Sequence, residues 1–131
     1  LSEYDKAKAT LPRDLFAIID EIALLNSRAD VGFRRKNLPA LLGKYFADMQ
    51  LVFRKLGNVV KAGGDIFVIV GRNHTIAGGQ RIEINTPEYM KSIAIQEGIH
   101  FYRQIEMEML VSRDLFRKNS VESEVILHLT A

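Results

Sequence analysis

Three groups of residues in this 131-residue chain are of types that do chemistry. The first is Gly71-Arg-Asn-His-Thr75, where a guanidinium, a carboxamide and an imidazole follow an apolar run. Arg72 can hold a phosphate through its fork of donors, and Asn73 and His74 can hydrogen-bond a polar heterocycle. The plainer reading is that Gly71 and Asn73 serve a turn in a solvated loop. The second group is basic: Arg34, Arg35 and Lys36, with Lys44 further on. Such cations position a phosphate backbone by charge and carry no sequence information, although Asp30 and Asp48 dilute the patch. Arg113, Arg117 and Lys118 form another basic set, which solubility alone accounts for. The third group is Glu106 and Glu108, which share one face of a strand with His100 further along it. A metal site or acid/base pair is conceivable there, but a polar edge-strand face explains the pattern better. Arg103 interrupts the apolar face of the same strand and calls for a buried partner such as a carboxylate, and His128 reads as structural. The sequence holds no Ser/His/Asp arrangement and no phosphate loop.

The elements that must position these residues are legible from periodicity. Arg13 to Asn26 reads as a helix with Leu15, Ile18, Ile19, Ile22 and Leu25 on one face. Ser27 to Asn37 reads as loop. Leu38, Leu42, Tyr45, Met49, Val52, Leu56 and Val59 then mark one stripe of a long helix, with Asn37 as cap, Pro39 in the first turn and Gly63-Gly64 as the stop. Asp65 to Val70 is apolar on both faces, as in a strand covered on both sides. Gly71 to Asn85 reads as glycine-punctuated loop. Thr86-Pro-Glu88 starts a helix that ends at Gly98. Ile99 to Val111 alternates as a strand, with Met107 and Met109 on its apolar side, and a loop from Ser112 to Ser123 leads to a last strand, Glu124 to Thr130. A right-handed strand–helix–strand unit makes the first two strands parallel, and the last strand must run antiparallel to its neighbour. The expected class is α/β, an open sheet or a piece of one, in a single domain over residues 1–131.

Composition limits the alternatives. A chain 47% hydrophobic and 26% charged, with net charge +2, belongs with folded globular domains and permits a nucleic-acid partner without demanding one. Zero cysteines exclude disulfides and thiolate metal sites and fit a cytoplasmic location. No apolar run reaches the length of a membrane span. The start at Leu1 suggests a piece of a longer protein.

The order helix, Val59-Val-Lys-Ala-Gly-Gly-Asp-Ile-Phe-Val-Ile-Val70, helix, antiparallel hairpin resembles the turn and fifth strand of class-I methyltransferases, followed by their sixth and seventh strands. More specifically, Lys44-Tyr-Phe-Ala-Asp-Met49, Val70-Gly-Arg-Asn73, Gly78-Gly79, Ile84-Asn-Thr86 and Glu122-Ser-Glu-Val-Ile-Leu127 look like bacterial DNA amino-methyltransferases. Those enzymes use S-adenosylmethionine to methylate adenine N6 or cytosine N4. The resemblance covers residues 37–131. It implies a partial Rossmann-like methyltransferase sheet in which the fifth strand pairs with the last strand on one side and with a fourth strand on the other. It also implies that Gly71–Thr75 borders the DNA cleft, since ligands of open α/β sheets bind beyond the carboxyl ends of the strands.

The departures are as informative as the match. The family's glycine-rich cofactor turn after a first strand is missing, and Gly78-Gly79 falls in a different loop. The catalytic Asp/Asn/Ser-Pro-Pro-Tyr/Phe tetrapeptide is missing too, since the chain has no Pro-Pro. By this resemblance the chain alone binds no S-adenosylmethionine and is inactive, and both functions belong to a missing amino-terminal segment or a separate subunit. DNA is then a partner of the complete enzyme. The expected protein partner is that missing half, or a second copy, joined through the Asp65–Val70 strand edge. Two other readings stand beside it: a non-catalytic α/β binding or assembly module, and a small enzyme built around Asn73 and His74.

Overall fold

A computed structural model describes residues 6, 10–107 and 123–131. Among them the chain runs through α1 (Arg13–Ser27), α2 (Phe33–Val59), β1 (Asp65–Ala77), β2 (Gln80–Ile84), α3 (Thr86–Gln96), β3 (His100–Met107) and β4 (Ser123–Thr130). The class is α/β, with sheet order β2-β1-β4-β3. Every pairing in this sheet is antiparallel. β4 lies between β1 and β3, so those two strands run in the same direction without touching. The expected order, with Asp65–Val70 beside the last strand and the third strand beyond, is found. A sheet with parallel neighbours is not, because the last strand separates the only two strands that the helical crossover aligns.

Residues 71–85, expected as loop, form a β-ribbon instead. β1 continues to Ala77 and returns as β2 through Gly78 and Gly79, whose φ values of 55° and 79° suit a two-residue hairpin turn. A Cβ at Gly78 would lie 3.0 Å from the Leu25 carbonyl oxygen, so close packing on α1 also requires glycine there. The buried positions change parity along β1, from Ile66 and Val70 to Ala77, and Ala77 is joined across the ribbon by buried Ile82 and Ile84. Gly71 sits where the strand leaves one packing surface for the other.

The long helix α2 begins at Phe33, not at Leu38, with Gly32 as its cap. Arg34, Arg35 and Lys36 are therefore helical, not loop residues. Asn37 is no cap; its Nδ2 donates back to the Phe33 carbonyl at 2.8 Å. Pro39 sits in the second turn, where its missing N–H leaves the Arg35 carbonyl without the usual i−4 donor. Buried Asn26 at the end of α1 supplies that donor: its Nδ2 meets the Arg35 carbonyl at 2.9 Å. The fully buried stripe is Pro39, Gly43, Phe46, Gln50 and Phe53, one position round from the stripe expected. Leu38, Leu42, Met49 and Leu56 are only partly covered, and Tyr45, Val52 and Val59 are exposed. In α3 the cap is Asn85, with Thr86 already inside the helix.

α1 and α3 pack against the sheet, and α2 packs on those two helices. Directly opposed residues of an antiparallel pair share a face, so Ile66, Leu129 and Phe101 form one helix-facing row, and Val68 and Leu127 belong to the next. The other face is less covered among the described residues, with Ile105, Ile126 and His128 half-buried and Phe67 and Ile69 exposed. Its rows are Phe67–His128–Arg103 and Ile69–Ile126–Ile105, and Phe67 and Ile69 are 59% and 64% exposed. The apolarity of β1 on both faces is real, yet only one face is covered. A bulge at Tyr102 shifts the β3 register between Phe101 and Arg103 and breaks the expected single alternating face. Arg103 accordingly lies on the same face as Phe67 and His128, 5.7 Å from the Tyr102 ring, with no carboxylate paired to it among the described residues.

The Asn26–Arg35 bond gives a test of how α1 fixes α2. Asn26→Ala should lower stability in urea by about 1–3 kcal/mol, since it strands a buried carbonyl. In a Pro39→Ala background the residue-39 N–H satisfies that carbonyl, and the loss should shrink. Equal losses in both backgrounds would contradict this account.

Candidate functional site

A cleft lined by both apolar and polar residues lies where β1 leaves the sheet. It encloses about 480 Å³ between α2, which contributes Leu42 and Tyr45, and the strand, which contributes Ile69, Gly71, Asn73 and His74. The cleft exists because β2 takes the outer edge of β1 only from Asn73 onward. From Asp65 to Arg72 that edge has no strand partner among the described residues. Partial burial raises the Tyr45 phenol above its ordinary pKa, so at neutral pH it is a protonated donor at the rim. Phe46 holds it from below, edge to face at 5.1 Å.

Of the three polar residues expected to act together here, Asn73 and His74 line the cleft and Arg72 does not. Arg72 turns to the helix side, where its two terminal nitrogens donate to Glu106 at 2.8 and 2.9 Å and one also reaches the Ser123 hydroxyl at 3.0 Å. The Arg72 guanidinium, helped by the Gln104 amide, holds the Glu106 carboxyl down at about 2. Arg72 is thus a clamp from β1 across β4 to β3, not a free phosphate ligand. Asn73 and His74 are successive strand residues and point to opposite faces. Asn73 is exposed, with only a long 3.4 Å bond from its Nδ2 to the Gly71 carbonyl.

Of the basic residues, Lys44 is paired with Asp48 at 2.8 Å along the helix. Arg34, Arg35 and Lys36 are exposed in the first turn of α2, beside Phe33. His128 is structural, as expected: Nε2 meets an Asp65 carboxylate oxygen at 2.8 Å, and the ring stacks on Phe67 with centroids 4.3 Å apart. Glu108, Met109, Val111, Arg113, Arg117 and Lys118 lie outside the described residues. Among the described residues no cluster of His, Asp or Glu is arranged to hold a metal, and no helix is long and apolar enough to cross a membrane.

Among the described residues no glycine-rich turn of the kind expected for S-adenosylmethionine is found. Gly78 and Gly79 are hairpin-turn residues packed on α1, not a glycine-rich loop opening a helix. A second cavity, about 600 Å³, lies between the end of α1 and the start of α2, and its walls are mainly Ala23, Ala29, Pro39 and Ala40. No family model, curated protein or solved structure matches the chain. The site is therefore read from its geometry.

Sequence reasoning missed two surfaces. One is the open sheet face, hidden because apolarity on both faces was taken to mean cover on both faces. The other is Phe33, which stands 83% exposed among the cations of α2. Its adjacency to Arg34-Arg-Lys36 was the available signal.

The clamp has a definite pH signature. A carboxyl held at about 2 instead of its ordinary 4.5 contributes stability above the ordinary value, and that contribution is lost as pH falls toward 2. Carbon NMR titration should place Glu106 near this low value, and Arg72→Gln should return it to the ordinary carboxylate range. A Glu106 titration unaffected by Arg72→Gln would refute the clamp.

Proposed function

We propose that this chain is the carboxy-terminal half of an S-adenosylmethionine-dependent DNA amino-methyltransferase acting on adenine N6 or cytosine N4. In this reading it completes a Rossmann-like sheet and forms one wall of the DNA cleft, while cofactor and catalytic groups come from the other half. The observation that carries the reading is the strand order: β4 inserted antiparallel between β1 and β3. That is the arrangement the family resemblance implies for the fifth, seventh and sixth strands.

Two further features support it. From Asp65 to Arg72, the edge of β1 that the family's fourth strand would occupy has no strand partner among the described residues; β2 takes it only from Asn73 onward. The sheet face that a second helical layer would cover is the face left open, with Phe67 and Ile69 on it. Doubly covered α/β sheets bury both faces of their central strands, so this chain supplies one layer and waits for the other. In the complete enzyme Asn73 and Tyr45 would border the target strand from the cleft, and the Arg72–Glu106 clamp would keep the carboxyl end of β1 in place.

The direct test is reconstitution. Mixed with an amino-terminal half carrying the glycine-rich turn and the Pro-Pro-Tyr/Phe motif, the chain should restore transfer of labelled methyl groups to DNA. Neither half should act alone, and Asn73→Ala should slow the reconstituted enzyme by about tenfold or more, the scale of losing one oriented polar contact. Association without any transfer would favour a non-catalytic assembly module.

A further inference from the structure

The corner where α1 meets α2 carries charge out of proportion to the rest of the chain. Arg28, Arg34, Arg35 and Lys36 against the single Asp30 give residues 28–36 a net charge of +3, in a chain whose total is +2. Everything else therefore sums to −1. The four cations are exposed, and among the described residues none is held in an ion pair. The Asn26–Arg35 bond fixes the end of α1 against the first turn of α2, so the cations lie on one rigid corner, not on a loose loop.

Two features argue against an ordinary solvated patch. α1 and α3 each carry an acid in the first turn, Asp14 and Glu88, whereas the first turn of α2 carries three cations and no acid. Cations at that end oppose the helix macrodipole, an arrangement that an incoming anion would relieve. The second feature is Phe33, 83% exposed among these cations and free of any ring partner among the described residues.

We infer that this corner binds single-stranded DNA, with Arg28, Arg34, Arg35 and Lys36 on the phosphates and Phe33 stacked on an unpaired base. Charge complementarity selects a polyanion. A lone exposed aromatic selects a base face, which a duplex keeps stacked and a single strand offers. An anionic membrane surface fits less well, since a membrane-lying helix presents a row of apolar residues beside its cations, and Asp30 would face the lipid. The inference deepens the methyltransferase reading, and rests on it for the choice of DNA as the polymer. It assigns the chain a place to hold the strand distorted around an extruded base, away from the Asn73 cleft.

The test uses the chain alone, so its outcome is separate from reconstitution. Fluorescence anisotropy with labelled oligo-dT at low salt should show saturable binding. Its log–log salt slope should be about −2 to −3, from roughly four phosphate contacts. Phe33→Ala should weaken oligo-dT about tenfold and leave a duplex of equal length unchanged. The triple variant Arg34→Glu, Arg35→Glu, Lys36→Glu should abolish both, with its circular dichroism unaltered. The salt slope of the unaltered chain needs no variant to fold. No binding, equal loss of duplex and single strand in Phe33→Ala, or capture by phosphatidylserine vesicles in place of oligo-dT would each overturn the inference.

Discussion

The two antiparallel ladders made by β4 hold this fold together. Among the described residues β1 and β3 do not pair with each other; both pair with β4, along Asp65–Arg72 on one side and His100–Met107 on the other. The helix-facing side chains of β4, Val125, Leu127 and Leu129, are completely buried. The ladder continues past the strand end, where the Gly63 N–H donates to the Ala131 carbonyl and the Ala131 N–H to that of Gly64, both at 2.9 Å. The turn that stops α2 is thereby tied to the end of the chain. At the opposite end, Arg72 and Glu106 clasp the same three strands across Ser123. A sheet fixed at both ends presents its remaining edge and face as rigid surfaces.

Those surfaces set the functional argument. An apolar side chain the size of Phe67 or Ile69 gains about 1.5–3 kcal/mol when fully removed from water, so an open row of them is costly for a solitary domain. The exposed flank of α2, with Tyr45 and Val52, adds to the same deficit. In the proposed reading, a second layer and a fourth strand would cover both.

The strands and helices that rest on local pattern were legible in the sequence. The doubly apolar run at Asp65–Val70 identified β1, and the family resemblance put the last strand beside it. What depends on distant partners was not legible. The start of α2 is misread because Pro39 looks like a first-turn proline, and only the Asn26 side chain makes the second turn tolerable. The β1–β2 ribbon had a signal, Gly78-Gly79 followed by alternating Ile82 and Ile84, but the polar Arg72-Asn-His74 masked it. The Tyr102 bulge has no sequence signature, and it alone moves Arg103 and Ile105 to the open face. Of the candidate site, the cleft position was readable from the strand end. The removal of Arg72 into a clamp was not, because Glu106 is distant in sequence.

The central claim is that this chain is one layer of a larger sheet. Sedimentation equilibrium over a wide concentration range tests it most directly, because a surface built for another layer will recruit a second copy when the proper partner is missing. The account predicts a weight-average mass that rises with concentration and returns to the monomer value when Phe67 and Ile69 are both replaced by glutamate. A unaltered chain that stays monomeric at the highest concentration would contradict it.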